Sequence, residues 1–488
     1  MQKWIRKLVP AAALLAMVTA AVPAAPASAA PYRSYNYSYW GETVASPQSY
    51  LPETSIDGKG LGIGGFRAPE DLFVARNGTV YLLDSGNGRV VVMDGNWQVK
   101  ATIDGFDNGG TAETFNNPQG IFATEAGDIY VADTDNGRIV QLNAAGGLVR
   151  IIGAPKSDVF RADFKFQPKK IALDKAGRIY VVGKGVFDGI MEFGSDGEFS
   201  GFLGTNRVRF DPVDYFWKIV STKKQREQMV QFVPTEFTSL DLSEDGFIFA
   251  SNADAFSDAP LKKLNPTGFD VLRREGYFSP RGDLRFESTI TGPGNSLFID
   301  VKVGESGMYS GLDARKGRIF TYDEDGNLLY IFGQLGLQEG TFKNPVAVER
   351  LGDRMLVLDK GYNRISVFRP TIFASTVNEA VMHHYNGEEE KSADAWRKVI
   401  RLNANYEIAY IGIGKSLLRQ GKYKESLYYF KNGMSRYYYS KAYQMYRKEV
   451  LGRYFGTVMT VAVALAAALI AYRIFRRFRR KGAVTHAA

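Results

Sequence analysis

Asp133-Thr134-Asp135-Asn136-Gly137-Arg138-Ile139 lies between two short apolar alternations, 128–132 and 139–142. Apolar runs of this length on either side of an Asn-Gly pair read as strand, turn, strand. Phe115-Asn116-Asn117-Pro118 opens the unit upstream, and a turn followed by a strand at 148–153 closes it. The pattern recurs. Phe66–Pro69 precedes Asp84 to Arg89, and Phe342–Pro345 precedes Asp359 to Arg364. Asp313 to Arg318 keeps the same interval, and Phe166-Gln167-Pro168 is a shortened opening. Four strands in a unit of about 50 residues is the arrangement of a β-propeller blade.

Six units are expected, starting near 66, 115, 166, 234, 286 and 342. Unit three carries Val182-Gly183-Lys184-Gly185 where the others have the Asp–Arg pair, unit four is degenerate, and unit five holds an inserted loop between Val301 and Leu312. The Phe-x-x-Pro, strand, Asp-x-x-Asn-x-Arg-(Ile/Val) pattern resembles the NHL repeat, which implies a mainly β, six-bladed propeller over 32–372. Asp84, Arg89, Asp133, Arg138, Asp313, Arg318, Asp359 and Arg364 recur from blade to blade. They are therefore read as structural, tying turns by charge-assisted hydrogen bonds. Unit six ends without a fourth strand. The first strand of the chain, in Asn36-Tyr37-Ser38-Tyr39-Trp40-Gly41, is expected to close the last blade and remove an open edge. Tyr32, Tyr35, Tyr37 and Tyr39 read either as packing or as a ligand platform.

The chain has 488 residues and net charge +9, from 61 Lys+Arg and 52 Asp+Glu. The excess sits at the ends: 1–30 carries +3 and 473–488 carries +6, both without an acid. The body between them is neutral, so no nucleic-acid partner is expected. The absence of cysteine excludes disulfides, thiolate metal sites and cysteine nucleophiles. Residues 1–29 read as a signal peptide, with Lys3, Arg6 and Lys7, an apolar run, then Ala27-Ser28-Ala29. Residues 455–472 carry no charge and span about 27 Å as a helix, enough for a membrane core. The basic tail 473–488 is expected in the cytoplasm, which makes the chain a single-pass cell-membrane protein with extracytoplasmic N-terminal domains.

Two further segments depart from the repeat. Within 206–233, Asp211-Pro212 is a helix start, and Val213, Phe216, Trp217 and Val220 form one apolar face. Residues 373–454 are poor in glycine and helical in period. Tyr410, Gly414, Leu417, Gly421, Tyr423, Ser426, Phe430 and Gly433 have the spacing of a tetratricopeptide repeat, which this segment resembles. It holds 14 Lys+Arg against 8 Asp+Glu, a charge suited to anionic headgroups or to a solvated surface.

No cofactor is expected. The histidines are His383, His384 and His486, none in the propeller, so the zinc ligands of lyases that share this repeat have no counterpart. Related six-bladed propellers are lactonases that hold calcium through oxygen ligands, and histidine counts do not exclude that chemistry. No Ser-His-Asp set, P-loop or dinucleotide fingerprint stands out. Ligands of propellers meet the start of the innermost strands, which points to Asp71, Gln119, Lys170 and Thr238. The expected function is non-enzymatic: a membrane-anchored binding or scaffold protein for a protein, peptide or glycan partner, or part of a membrane complex. The alternative is a tethered hydrolase or lactonase with an oxygen-ligated calcium.

Overall fold

A computed structural model describes residues 31–161, 163–205, 235–254, 257–284 and 295–484. The expected signal peptide, the 206–233 insertion, the start of unit five near 286 and His486 lie outside the described residues. Six sheets repeat one plan, five of them meanders in chain order and the sixth taking its outermost strand from near the start of the chain. Their first strands are Asp71–Val74, Gly120–Ala123, Pro168–Leu173, Phe237–Leu242, Phe298–Val303 and Pro345–Leu351. Each touches the next, and the sixth touches the first, so they ring a common axis.

Blade 4 has three strands, with an isolated bridge between Leu264 and Asp270 in place of the fourth. Unit five has no inserted loop between Val301 and Leu312. Its first two strands, Phe298–Val303 and Tyr309–Asp313, are joined by a short connection that includes the turn Glu305–Gly307 and is as long as those of blades 1 to 4.

The ring closes through the N-terminal part of the chain, but by a different strand from the one expected. Tyr50–Ile56 pairs antiparallel with Arg364–Pro370, with Ile365 opposite Ile56. Tyr50 is fully buried and stacks on Phe332 of blade 5 at 4.8 Å. Tyr35–Tyr37 instead forms a hairpin with Thr43–Ala45 against blade 5. Two of its tyrosines are held there by Asp283, which accepts from the hydroxyls of Tyr35 and Tyr37. The Tyr32 hydroxyl donates to the Tyr50 carbonyl at 2.6 Å. Tyr32, Tyr35 and Tyr37 are therefore packing residues.

The repeated Asp explains the repeated turn. Asp84, Asp133, Asp313 and Asp359 are fully buried at the end of the second strand. Each accepts the backbone N–H of the residue that enters its own blade: Arg67 and Asn116 at 2.7 Å, Leu297 at 2.8 Å, Lys343 at 2.7 Å. Four residues after each Asp the chain turns left-handed, at Gly88, Gly137, Gly317 and Asn363. Glycine and asparagine tolerate that conformation best. Arg89 and Arg138 then return an Nε–H to their Asp at 2.8 Å. Arg318 and Arg364 do not. Arg318 pairs with Asp283 at 2.5 Å. Arg364 lies over the Tyr362 ring, because Asp359 is already supplied by the backbone N–H groups of Lys343, Asn344, Gly361 and Tyr362. Blades are tied to their neighbours by the residue after the Asp: Ser85 and Thr134 donate to the carbonyls of Pro118 and Pro168 in the next blade.

Five helices follow: α1 (Ile372–Tyr385), α2 (Glu389–Leu402), α3 (Glu407–Arg419), α4 (Tyr423–Asn432) and α5 (Arg436–Val484). Thr371 begins α1. Its hydroxyl oxygen accepts from Ala374 N, while its own N–H and O–H go to the carbonyls of Ser49 and Gln48. Consecutive helices pack on one another, and small residues set how closely. A Cβ on Gly412 would lie 2.2 Å from Trp396, and one on Gly414 would lie 2.6 Å from the Phe430 ring. One hydrophobic cluster runs from blades 5 and 6 into the helices, joining Tyr50, Leu329, Phe368, Phe373, Trp396 and Tyr406. Polar contacts reinforce it: Tyr406 OH to Leu329 O at 2.6 Å, Tyr330 OH to Asn378 at 2.8 Å, and Lys415 to Asp325 at 2.5 Å. The helical segment is thus built on the propeller. Among the described residues, α5 is the one helix long and apolar enough to cross a membrane, and its apolar stretch is not buried by the rest of the chain.

Replacing Asp133 by Ala removes the acceptor for Asn116 N, Asn136 Nδ2 and Arg138 Nε. Leaving these donors unmatched is expected to cost about 2–4 kcal/mol, read as a lower urea midpoint. An unchanged midpoint would refute the role given to this residue.

Candidate functional site

Register places one residue of every first strand at the same level. Asp71, Gly120, Lys170, Ser239, Asp300 and Ala347 pair with Leu83, Ala132, Val182, Ser251, Leu312 and Leu358, each just before the repeat Asp or its counterpart. Two residues on stand Phe73, Phe122, Ala172, Asp241, Lys302 and Glu349. Side chains two apart share a face of a strand, so both sets point to the axis.

In the first layer Lys170 Nζ donates to Asp71 Oδ1 at 2.5 Å and stands 3.4 Å from Asp300. Ser239 Oγ donates to Asp300 Oδ1 at 2.5 Å. The second oxygen of each Asp accepts a backbone N–H from the following blade, Ile121 N at 2.9 Å and Val348 N at 2.7 Å. In the second layer Lys302 Nζ lies 3.0 Å from Glu349 and 3.3 Å from Asp241, and Asp241 accepts Val303 N at 2.8 Å. Phe73 and Phe122 pack beside it with ring centres 4.7 Å apart, and Lys302 faces the Phe73 ring. The two layers take a side chain or an N–H from every blade. The space left among them is about 20 Å³, room for about one water.

Burial governs the protonation of these groups. It pushes the Asp71 carboxyl up to about 6, helped by Asp300 and opposed by Lys170. It pushes Glu349 up to about 8, helped by Asp241 and opposed by Lys302, so this carboxyl is mostly protonated at neutral pH. Burial acts to lower both lysines, but the carboxylates around them outweigh it and hold Lys170 and Lys302 above the ordinary lysine value. Each layer is a lysine cation held between two carboxyl groups.

Of the four residues expected at a ligand face, the structure brings Asp71 and Lys170 together and not the other two. Gln119 sits one residue before the axial position, its N–H bonded to Ala132 O. Thr238 hydrogen-bonds Ser251 and the Phe298 carbonyl, joining blades 4 and 5. The strands of blades 3 to 6 carry a bulge near their start, for instance between Phe237 and Ser239. The axial residue nevertheless stands two positions after the opening proline with or without a bulge: Asp71, Gly120, Lys170 and Ala347 follow Pro69, Pro118, Pro168 and Pro345. That spacing finds Gly120, and counting back across the hairpin from the repeat Asp or its counterpart finds Ser239 and Asp300. Asp241, Lys302 and Glu349 follow two residues later.

Among the described residues no three carboxylate or imidazole groups are placed to hold a metal ion. His383 pairs with Glu388 at 2.5 Å, whereas His384 lies 3.4 Å from Glu389. The adjacent rings thus serve different carboxylates.

A family model described as the NHL repeat matches residues 115–142, the unit with the fullest motif. Among curated protein sequences none matches the chain. Solved structures align over much of the length. A streptogramin B lyase is 12% identical, covers 62% of this chain and 94% of its own, and has a TM-score of 0.38. Virginiamycin B lyase from Staphylococcus aureus is 9% identical with the same coverages and TM-score. A protein of unknown function from Bacteroides thetaiotaomicron is 14% identical, covers 70% of this chain and 76% of its own, and has a TM-score of 0.41.

A carboxyl that holds its proton more tightly when folded favours the folded state less as pH rises. For Glu349 the loss runs from its ordinary value of 4.5 to about 8. Asp71 acts in the same sense between 3.8 and about 6. Glu349→Gln should therefore flatten the fall of the urea midpoint between roughly pH 5 and 8 relative to the unmodified chain. Equal slopes would contradict the buried protonated carboxyl.

Proposed function

We propose that the chain is a membrane-anchored, extracytoplasmic binding and scaffold protein. Its propeller and helical layer engage a protein, peptide or glycan partner as one body. The observation that carries this reading is the axis. The place where propellers of this kind most often keep reactive groups is here filled by two closed lysine–carboxyl layers, which leaves the outer surfaces for recognition. The shared core of blades 5 and 6 with α1 to α3 supports a rigid platform, and an exposed apolar helix continuous with that platform supports a tether. The tight crossings at Gly412 and Gly414 support tetratricopeptide-like hairpins for 373–454. The six charges of 473–488 support a cytoplasmic tail. The calcium-dependent alternative needs axial carboxylates free to ligate, whereas Asp71, Asp300, Asp241 and Glu349 already have lysine partners.

The chain contains no cysteine, so single introduced thiols report orientation without background. In spheroplasts an impermeant maleimide should label Thr267→Cys directly and Ala487→Cys only after permeabilisation. Labelling in the reverse order would refute the orientation. Cross-linking in native membranes, with and without 455–488, tests the scaffold itself. A reproducible partner of the intact chain is expected, and its absence from repeated captures would sink the reading.

A further inference from the structure

Helix α5 runs without a break from the helical layer into its apolar stretch, so one face can be followed along all of it. At about 100° per residue, Tyr439, Tyr443, Tyr446, Val450 and Tyr454 fall within an arc of about 80°. Thr457, Val461, Ala464, Ala468, Tyr472 and Phe475 continue the same arc. Between Tyr439 and Phe475 the arc holds no Asp, Glu, Lys or Arg. Lys441, Arg447, Lys448, Glu449 and Arg453 all lie outside it.

The upper part of this face is covered neither by the chain nor by a bilayer. α5 packs on α4 through Tyr438, which stacks on Phe430 at 5.5 Å, and through Ala442. That contact is about 100° round the helix from the centre of the arc. Tyr439, Tyr443 and Tyr454 stay 38%, 50% and 55% exposed. Tyr454 adjoins the apolar stretch and suits a headgroup layer, which is about 5–8 Å deep. Tyr443 and Tyr439 stand about 18 and 24 Å before Phe455 along the helix, beyond that layer.

Within the apolar stretch the arc carries Thr457, Val461, Ala464 and Ala468, whereas Phe455, Val458, Met459, Leu465, Leu469 and Ile470 turn to other sides. Lipid tails are as apolar as leucine, so helices associate in a bilayer where small side chains let their backbones approach. The tyrosine side outside and the small side within are thus one face of one helix.

We propose that two copies of the chain pair in parallel along this face, about a twofold axis normal to the membrane. A second copy is the occupant that matches the face at every depth, tyrosine against tyrosine outside the bilayer and small against small inside it. From Tyr439 to Phe475 the face is about 54 Å long. Taken as about 10 Å wide, it buries about 1,100 Å² over both copies, above the roughly 1,000 Å² that a specific interface needs. A shared orientation and depth in one membrane reduce the freedom lost on pairing. The inference rests on the reading of α5 as the membrane tether and gives the platform two copies.

The chain has no cysteine of its own, so single cysteines in the full chain can be oxidised with copper phenanthroline in native membranes. Tyr443→Cys, Val450→Cys and Ala464→Cys should each give a disulfide-linked product of twice the chain's mass. Its yield should be about 5-fold or more above that from Lys441→Cys, Lys448→Cys and Val463→Cys, on the opposite side of the helix. Adding Tyr439→Ser and Tyr443→Ser should lower the Ala464→Cys product about 3-fold or more. The melting temperature should not change, because exposed tyrosines contribute little to the fold of one copy. No dimer at any position, equal yields on both sides, or a product of another mass would each overturn the pairing. Maleimide labelling of Thr267→Cys and Ala487→Cys is read separately. Labelling as expected with no dimer removes the pairing alone, whereas reversed labelling removes the membrane reading with it.

Discussion

The pairing of Tyr50–Ile56 with Arg364–Pro370 is the constraint on which the remaining architecture depends. Six sheets joined in a row would end in an open edge. Giving the last sheet a strand from the start of the chain makes the row a ring. A ring creates an axis, and the residues that face it are withdrawn from water whatever their chemistry. The same pairing fixes what comes next. Residues 48 and 49, just before the closing strand, receive the hydrogen bonds of Thr371, so α1 starts in one place and direction. Propeller closure and the seating of the helices are consequences of one strand contact.

The axis shows how a buried charge is made tolerable. An isolated lysine at the centre would carry a desolvation cost of several kcal/mol. Lys170 and Lys302 are each set between two carboxyl groups, and the spare carboxylate oxygens take backbone N–H groups from the next blade. Hydrogen bonds, partial protonation of Glu349 and the small residues Gly120, Ala172 and Ala347 together leave little empty space. Such a network favours a defined arrangement of blades more than it adds to total stability.

The blades were readable because their signals are local. An Asp that must accept an N–H from its own blade, a left-handed residue four positions later and an aromatic before a proline all lie within one unit. Two features were not readable for physical reasons. The closing strand Tyr50-Leu51-Pro52-Glu53-Thr54-Ser55-Ile56 is polar and contains proline, which resembles a loop. An outermost strand tolerates both, since one side of it faces solvent. The tyrosine-rich segment before it has a stronger alternation, but that pattern answers to Asp283 and blade 5. The axial set was half visible. Asp71 and Lys170 each follow the opening proline by two residues, whereas unit four lacks the Phe-x-x-Pro opening and Thr238 is one residue from the axial position, Ser239. Arg318 and Arg364 keep the motif's spacing and lose its contact, which no spacing argument foresees.

The central claim is that propeller and helices form one body rather than a propeller with a loosely attached helical arm. Hydrogen exchange of the full chain in a membrane mimetic, followed by mass spectrometry, tests it most directly. The account predicts that peptides from α1 to α3 and from the strands of blades 5 and 6 share one slow, cooperative opening. Exchange of the helices as a separate, faster unit, with the blades still protected, would contradict it.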